Sequence, residues 1–360
     1  MDNRVSAGSA ANAFERARFT GTASEYFGIW IVNVLLTIVT LGIYSAWAKV
    51  RRNRYFYGNT VLLGRAFEYD ATGKQILIGR LIVFAFIVVA NILATIHPLF
   101  SLVTTILVLI ALPWLIARGL RFNARVTSYR NVRFDFTGTA GGAFVSVLLG
   151  GFVAFLSLGL LAPVASRWLN RYILNNLRYG NRPFQTDPRV GALYGALVVP
   201  ALIVVVGAVL VSTLGSTMIG WLQAYNADGV RSELGDALTA VGLYAIFFTV
   251  FIVYGLASII YRADVHNMVW SSTWIDGRHK LRSDLSPVRY AWIAISNVFV
   301  TVLTLGLMRP WAAVRLARYV AEHTAIRIDG EIGEVFTQIQ TTGAAIGAEY
   351  MSMEGIDFGF

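Results

Sequence analysis

The residues of this chain best suited to hold a metal are four histidines, His97, His266, His279 and His323, and no two of them stand at i, i+4 spacing on one helix. A metal site would need long-range assembly. Cysteine is absent, which removes disulfides, thiolate ligands, iron–sulfur ligation and cysteine nucleophiles. Neither a Ser–His–Asp set nor a carboxylate pair can be read from the spacing. Asp and Glu are missing from the interiors of the long apolar segments, where proton-coupled carriers place ionisable groups. Phe-Thr-Gly-Thr occurs at Phe19–Thr22 and again at Phe136–Thr139, the second followed by Gly141 and Gly142. A phosphate loop needs Gly-Lys-Ser/Thr opening a helix. That lysine is missing, so a turn entering an apolar segment is the simpler reading. No catalytic residue, cofactor or metal ligand follows, and the chain is expected not to be an enzyme.

Two other sets carry chemistry of a different kind. Asn33, Thr37 and Thr40 lie at i, i+4 and i+7, hence on one helix face, and Asn297, Thr301 and Thr304 repeat the pattern. Such a face supplies interhelical hydrogen bonds or lines a polar, hydrated seam. The second set is basic and aromatic: Trp47, Arg51, Arg54 and Tyr55, with Arg171 between them and Trp311, Arg315, Arg318 and Tyr319. Tryptophan and tyrosine favour the membrane interface, and arginine favours anionic phosphate there.

The elements that position these residues are apolar. The chain is 56% hydrophobic and 14% charged, against about 25% charged for soluble domains. Seven apolar segments run approximately from Tyr26 to Trp47, Ile76 to Ile96, Leu99 to Ile116, Gly142 to Val164, Gly191 to Leu214, Ala237 to Ile260 and Tyr290 to Trp311. Each is long enough to cross a hydrocarbon core of roughly 30 Å. The formal net charge of +10 fits basic loops beside membrane spans better than nucleic-acid binding. No cleavable signal peptide is read in the first eighteen residues, which are polar and mixed.

The chain also repeats itself. Asn33 to Gly42 matches Asn297 to Gly306, and the register continues without a gap to Trp47, Arg51, Arg54, Tyr55 and Thr60 opposite Trp311, Arg315, Arg318, Tyr319 and Thr324. A weaker middle copy places Leu158-Gly159 and Asn170-Arg171-Tyr172 in the same register. Identities at a constant offset predict three internal repeats, at about 19–135, 136–282 and 283–330. A polar segment, 1–18, precedes this membrane domain of 19–330, and an acidic tail, 331–360, follows it and is expected to be mobile. The first, fourth and seventh apolar segments each break at Thr-Leu-Gly or Ser-Leu-Gly and run into a basic aromatic stretch suited to the headgroup region. The remaining four form two hairpins, one turning at His97-Pro98. Short alternating stretches such as Thr60–Tyr69 and Val132–Phe136 read as small β-hairpins in cytoplasmic loops.

Charge then bears on topology. Seven simple spans would divide the basic residues about sixteen to thirteen between the two sides. If the three broken segments enter and leave on one side, the division becomes about twenty-eight to one. The expected fold is therefore an all-α polytopic membrane protein of three internal repeats, with four full spans in membrane hairpins, three re-entrant or interfacial helices, and both termini cytoplasmic.

The stretch Thr40-Leu-Gly-Ile-Tyr44-Ser-Ala-Trp47-Ala-Lys-Val-Arg51 resembles the YjgN family of bacterial inner-membrane proteins, as do Phe19–Thr22 and Thr304-Leu-Gly-Leu-Met-Arg-Pro310-Trp311. The resemblance covers roughly Phe19 to Gly330. It implies a polytopic protein of the bacterial inner membrane with no assigned activity, and it brings no catalytic or ligand residues. The middle copy departs from the pattern, with Val164 where the outer copies have tryptophan and Pro163 just before it. Two functional readings remain. One is a non-enzymatic protein that organises or contacts lipid, with anionic membrane lipid as partner. The other is a small-solute channel or carrier using the polar seam between repeats.

Overall fold

The computed structural model describes residues 13–227 and 233–330. The short alternating stretches between the helices become its frame. In Val132–Phe136 and His279–Ser283, residues 132, 134 and 136 or 279, 281 and 283 turn to one face, while Arg133 and Arg282 turn to solvent. That is the period-two alternation of a half-buried strand. The described residues contain eleven strands: β1 Glu15–Arg16, β2 Arg18–Phe19, β3 Thr60–Leu62, β4 Arg65–Tyr69, β5 Thr127–Tyr129, β6 Val132–Phe136, β7 Leu177–Tyr179, β8 Arg182–Thr186, β9 Thr273–Ile275, β10 His279–Ser283 and β11 Thr324–Arg327.

They form one antiparallel sheet in which each strand from β3 to β11 pairs with its neighbours in sequence. The ends then meet. β1 pairs with β11, β2 pairs with β3, and Ala17 between them donates its N–H to the Thr324 carbonyl at 2.9 Å. The sheet is thus a nearly closed barrel, which leaves almost no free edge. Its inner face is packed by Tyr129, Val132, Tyr179, Phe184, Leu281 and Ile326, with Leu62, Phe67, Phe134 and Ile275 against them. Phe67 and Tyr129 lie with ring centroids 4.7 Å apart, and Phe134 and Tyr179 5.0 Å apart. The interior is filled by side chains.

The expectation of an all-α chain is corrected by this barrel. Its strands are two to five residues long and separated by helices of up to 39 residues, so no stretch of sequence reads as a sheet. Only tertiary pairing assembles them. The hairpins expected at Thr60–Tyr69 and Val132–Phe136 are parts of it. Two-residue turns join several strand pairs, with positive φ at both Leu63-Gly64 and Arg130-Asn131. Turns of that hand match the twist of paired strands.

Five helix pairs leave the barrel and return to it. They are α1 Ala23–Val39 with α2 Ser45–Gly58, and α3 Gly73–Ile96 with α4 Pro98–Arg125. Next come α5 Ala140–Leu156 with α6 Ala162–Asn175, and α7 Val190–Ala227 with α8 Glu233–Ser271. The last pair is α9 Pro287–Leu303 with α10 Arg309–Glu322. Side-chain caps start many of these helices. Thr22 accepts from the Glu25 N–H and Thr72 from the Gln75 N–H, each in a full capping box, while Thr139 and Ser286 accept from Gly142 and Arg289. The Phe-Thr-Gly-Thr motif is therefore a strand end followed by a helix cap. His97 caps α4 through Nδ1, which accepts from the Leu99 N–H at 3.1 Å.

Among the described residues four helices, α3, α4, α7 and α8, are long and apolar enough to cross a membrane. The other three pairs are short and turn at Leu41-Gly42, Leu158-Gly159 and Leu305-Gly306. In each, both turn residues have positive φ, about 50° at leucine and 91° or 92° at glycine. The glycine N–H bonds back five residues, to Thr37, Ala154 and Thr301, at 2.7–2.8 Å. The preceding hydroxyl, of Thr40, Ser157 or Thr304, accepts from the N–H four residues on, at 2.9–3.1 Å. The N–H groups of the turns are thus all bonded within their own helix pair. The breaks read in sequence as weakened helix are helix C-caps.

Candidate functional site

The two polar faces expected to form a seam are used within their own helix pairs. Asn33 Oδ1 on α1 accepts from Arg51 Nη1 of α2 at 3.4 Å. Asn297 Oδ1 on α9 accepts from Arg315 Nη1 of α10 at 3.2 Å, and its Nδ2 donates to the Ala312 carbonyl. Thr37 donates to the Asn33 carbonyl, and Thr40 and Thr304 hold the turns described above. Thr301 supplies the carbonyl that accepts from Gly306. Each asparagine thus ties an outgoing helix to a returning one.

Several of the arginines and tyrosines expected at lipid headgroups also bind backbone. Arg54 donates to the carbonyls of Tyr69 and Ala71, where β4 leaves the barrel. Arg121, which sequence reading passed over, does the same to Phe136 and Gly138. Arg171 lies 3.7 Å from Asp187, and Arg318 donates to the Gly21 carbonyl at 3.0 Å, joining the last helix pair to the first. In each case a returning helix grips the start of the next pair around the ring. The tyrosine one position on latches its own pair: Tyr55 donates to the Thr22 carbonyl at 2.7 Å and Tyr172 to Thr139 at 2.8 Å. Tyr319 accepts from the Ser286 N–H at 2.9 Å. Trp47 packs over the start of α3, where a Cβ on Gly73 would lie 2.5 Å from its ring.

Trp311 has no such seat. It and Ala23, the first residue of α1, line a cleft of about 490 Å³ between α9, α10 and the start of α1. Arg289, Arg315 and Arg318 line it with Trp292, Trp311, Tyr319 and Glu322. The Arg315 guanidinium lies 5.0 Å from the Trp311 ring centroid and donates to Ser296 Oγ at 2.7 Å. Arg289 lies over Tyr319 at 5.6 Å. None of the three arginines is ion-paired with a carboxylate among the described residues.

Arg289 is placed against the local field. It is the third residue of α9, where Glu25 and Gln75 complete the capping boxes of α1 and α3. The positive end of a helix favours an anion there. In α9 the Tyr319 hydroxyl takes over the Ser286 N–H, which leaves Arg289 facing the cleft. The cleft therefore concentrates positive charge beside two indole rings. Sequence reading found Trp311, Arg315, Arg318 and Tyr319 but missed Arg289 and Trp292. The available signal was arginine at the capping-box position after Ser286.

The histidines stand apart. His97 is a cap, His266 packs against Trp270 at 5.4 Å, His279 accepts from the Asp329 N–H and His323 contacts the Tyr319 carbonyl. Burial holds the His279 imidazole below its ordinary pKa. The loop at Asp228–Arg231 and the acidic tail from Glu331 lie outside the described residues.

A family described as bacterial protein of unknown function (DUF898) matches residues 14–353. The chain belongs to this family. Among curated proteins it is 26% identical over 351 residues to the inner membrane protein YjgN of Salmonella typhimurium strain LT2, an alignment covering 86% of this chain and 88% of the relative. It is 38% identical over 152 residues to the inner membrane protein YjgN of Escherichia coli O157:H7, covering 40% of this chain and 38% of that one. No solved structure matches the chain at a significant level. With four apolar helices of spanning length and relatives in the inner membrane, this DUF898 member is a membrane protein.

Proposed function

We propose that this protein is a non-enzymatic inner-membrane protein that binds the phosphate headgroup of an anionic phospholipid in the cleft between its last and first helix pairs. The barrel and both described ends of the chain face the cytoplasm, because the basic connectors gather at the barrel and lysine and arginine favour that side. The three broken helices and their basic partners are copies of one unit, which explains why their turns have the same geometry and why a tyrosine latches each pair at the same position. The observation that carries the binding reading is the cleft itself: three arginines without carboxylate partners among the described residues, flanked by Trp292 and Trp311. Arginine suits phosphate oxygens, and indole suits the boundary between headgroup and acyl chain.

The test uses the full chain in detergent, titrated with short-chain phosphatidylglycerol and followed by tryptophan fluorescence. Saturable binding is expected, with no response to short-chain phosphatidylcholine. At about 1 kcal/mol per arginine near anionic lipid, Arg289→Gln with Arg315→Gln should weaken binding roughly 30-fold. Equal affinity for the two lipids, or an unchanged affinity in the double variant, would sink the reading.

A further inference from the structure

The short and long helix pairs do not reach the same depth, and two contacts fix the difference. Arg80 on α3 donates to Ser45 Oγ, at the turn end of the first short pair. Tyr261 Oη on α8 donates to Ser166 Oγ, one turn into α6 from the tip of the second short pair. The short helices, 14–17 residues long, reach about 21–25 Å from the barrel, while Arg80 is seven residues from the barrel end of α3 and Tyr261 ten from that of α8. Beyond them α3 continues from Leu81 to Ile96 for about 24 Å, and α8 from Ile260 back to Glu233 for about 40 Å. The four long helices run about 36–58 Å, so the short pairs end well before the far ends of the long ones.

Their tips are nevertheless apolar and bare. Leu41 and Leu305 are each 94% exposed and Leu158 is 75% exposed, with Val39, Phe155 and Leu303 beside them. Every N–H of these turns is hydrogen-bonded, which lowers the cost of burying them in acyl chains. All three short pairs begin and end at the barrel.

From this we infer that the protein acts as a one-sided wedge: it inserts ten helices into the leaflet next to the barrel and only four into the opposite leaflet, and so favours membrane that is convex toward the barrel. This rests on the membrane placement proposed above, but not on the headgroup cleft. Helices are about 10 Å across, so six extra ones add roughly 500 Å² to one leaflet alone. Shallow apolar insertion of this kind is sensitive to curvature.

The natural chain contains no cysteine, so Gln185→Cys, on the exposed face of β8, gives a single labelling site. The full chain is reconstituted into phosphatidylcholine vesicles of mixed size, without anionic lipid. A membrane-impermeant dye then marks only molecules with the barrel outward, and dye per unit area is read vesicle by vesicle. Enrichment of at least about twofold on the smallest vesicles over the largest is expected. Leu41→Asp, Leu158→Asp and Leu305→Asp together should abolish it while the protein still resists alkaline extraction. Arg289→Gln with Arg315→Gln should leave it unchanged, which separates this inference from headgroup binding. Uniform density at every vesicle size, or enrichment that survives the three tip substitutions, overturns the wedge. A solvatochromic label at Leu158→Cys that reports water instead of hydrocarbon overturns the placement on which it stands.

Discussion

Replacing the latch tyrosines by phenylalanine removes one oxygen each, and the structure ranks the cost. Tyr172 Oη donates to the Thr139 carbonyl at 2.8 Å. Tyr172→Phe loses one net hydrogen bond, about 0.5–1.5 kcal/mol, because the carbonyl keeps other opportunities. Tyr319 Oη instead accepts from the Ser286 N–H at 2.9 Å and only weakly contacts the Ser286 carbonyl at 3.3 Å. That N–H has no capping-box carboxylate, since the third residue of α9 is Arg289. Tyr319→Phe therefore leaves a partly buried donor without a partner, at about 1–3 kcal/mol. Tyr319→Phe should cost roughly 1 kcal/mol more than Tyr172→Phe. The assay is unfolding of the detergent-solubilised full chain by increasing sodium dodecyl sulfate, followed by tryptophan fluorescence, with the midpoints compared. Introducing Arg289→Glu into Tyr319→Phe should recover part of the loss by restoring the capping box. Equal costs for the two tyrosines, or no recovery from the glutamate, would refute the assignment of Tyr319 as the substitute cap.

Other substitutions test the ring of contacts. Gly73→Ala puts a methyl where the Trp47 ring lies 2.5 Å away and should destabilise by about 1–3 kcal/mol, whereas Ala23→Gly, at a residue that lines the open cleft with Trp311, should cost no more than the usual glycine penalty of about 1 kcal/mol. Both are read as shifts in the same unfolding midpoint. The Arg16 guanidinium, hydrogen-bonded to Asp284, holds that carboxyl below its ordinary pKa. Its stabilisation is present above the usual carboxylate range and is lost as pH falls through the depressed value. Asp284→Asn should thus cost up to about 1 kcal/mol at neutral pH, and the gap to the natural chain should close in acid. Arg318→Gln removes the charged donor to Gly21 that joins the last pair to the first, and about 1.5–3 kcal/mol of stability should go with it. Midpoints measured across pH and salt check both.

The sequence by itself determined the membrane character, the positions of the four long helices and the three broken ones. These follow from local quantities: runs of apolar residues, a Leu-Gly pair that ends a helix, and arginines gathered at the ends of the apolar runs. It also marked Trp311, Arg315 and Tyr319, because their register matched Trp47, Arg51 and Tyr55. It did not disclose the barrel. Strands such as Leu177–Tyr179 are too short to carry a pattern, and their partners lie across intervening helix pairs. Nor did it distinguish arginines spent on backbone, such as Arg54, from those that face a cleft, such as Arg289. That difference is set by which helix start lies beside each returning helix: Trp47 packs over Gly73, while Trp311 and Ala23 line an open cleft. Periodicity records which face of an element is apolar. Which face meets which is decided only when the sheet closes and brings Arg318 to Gly21.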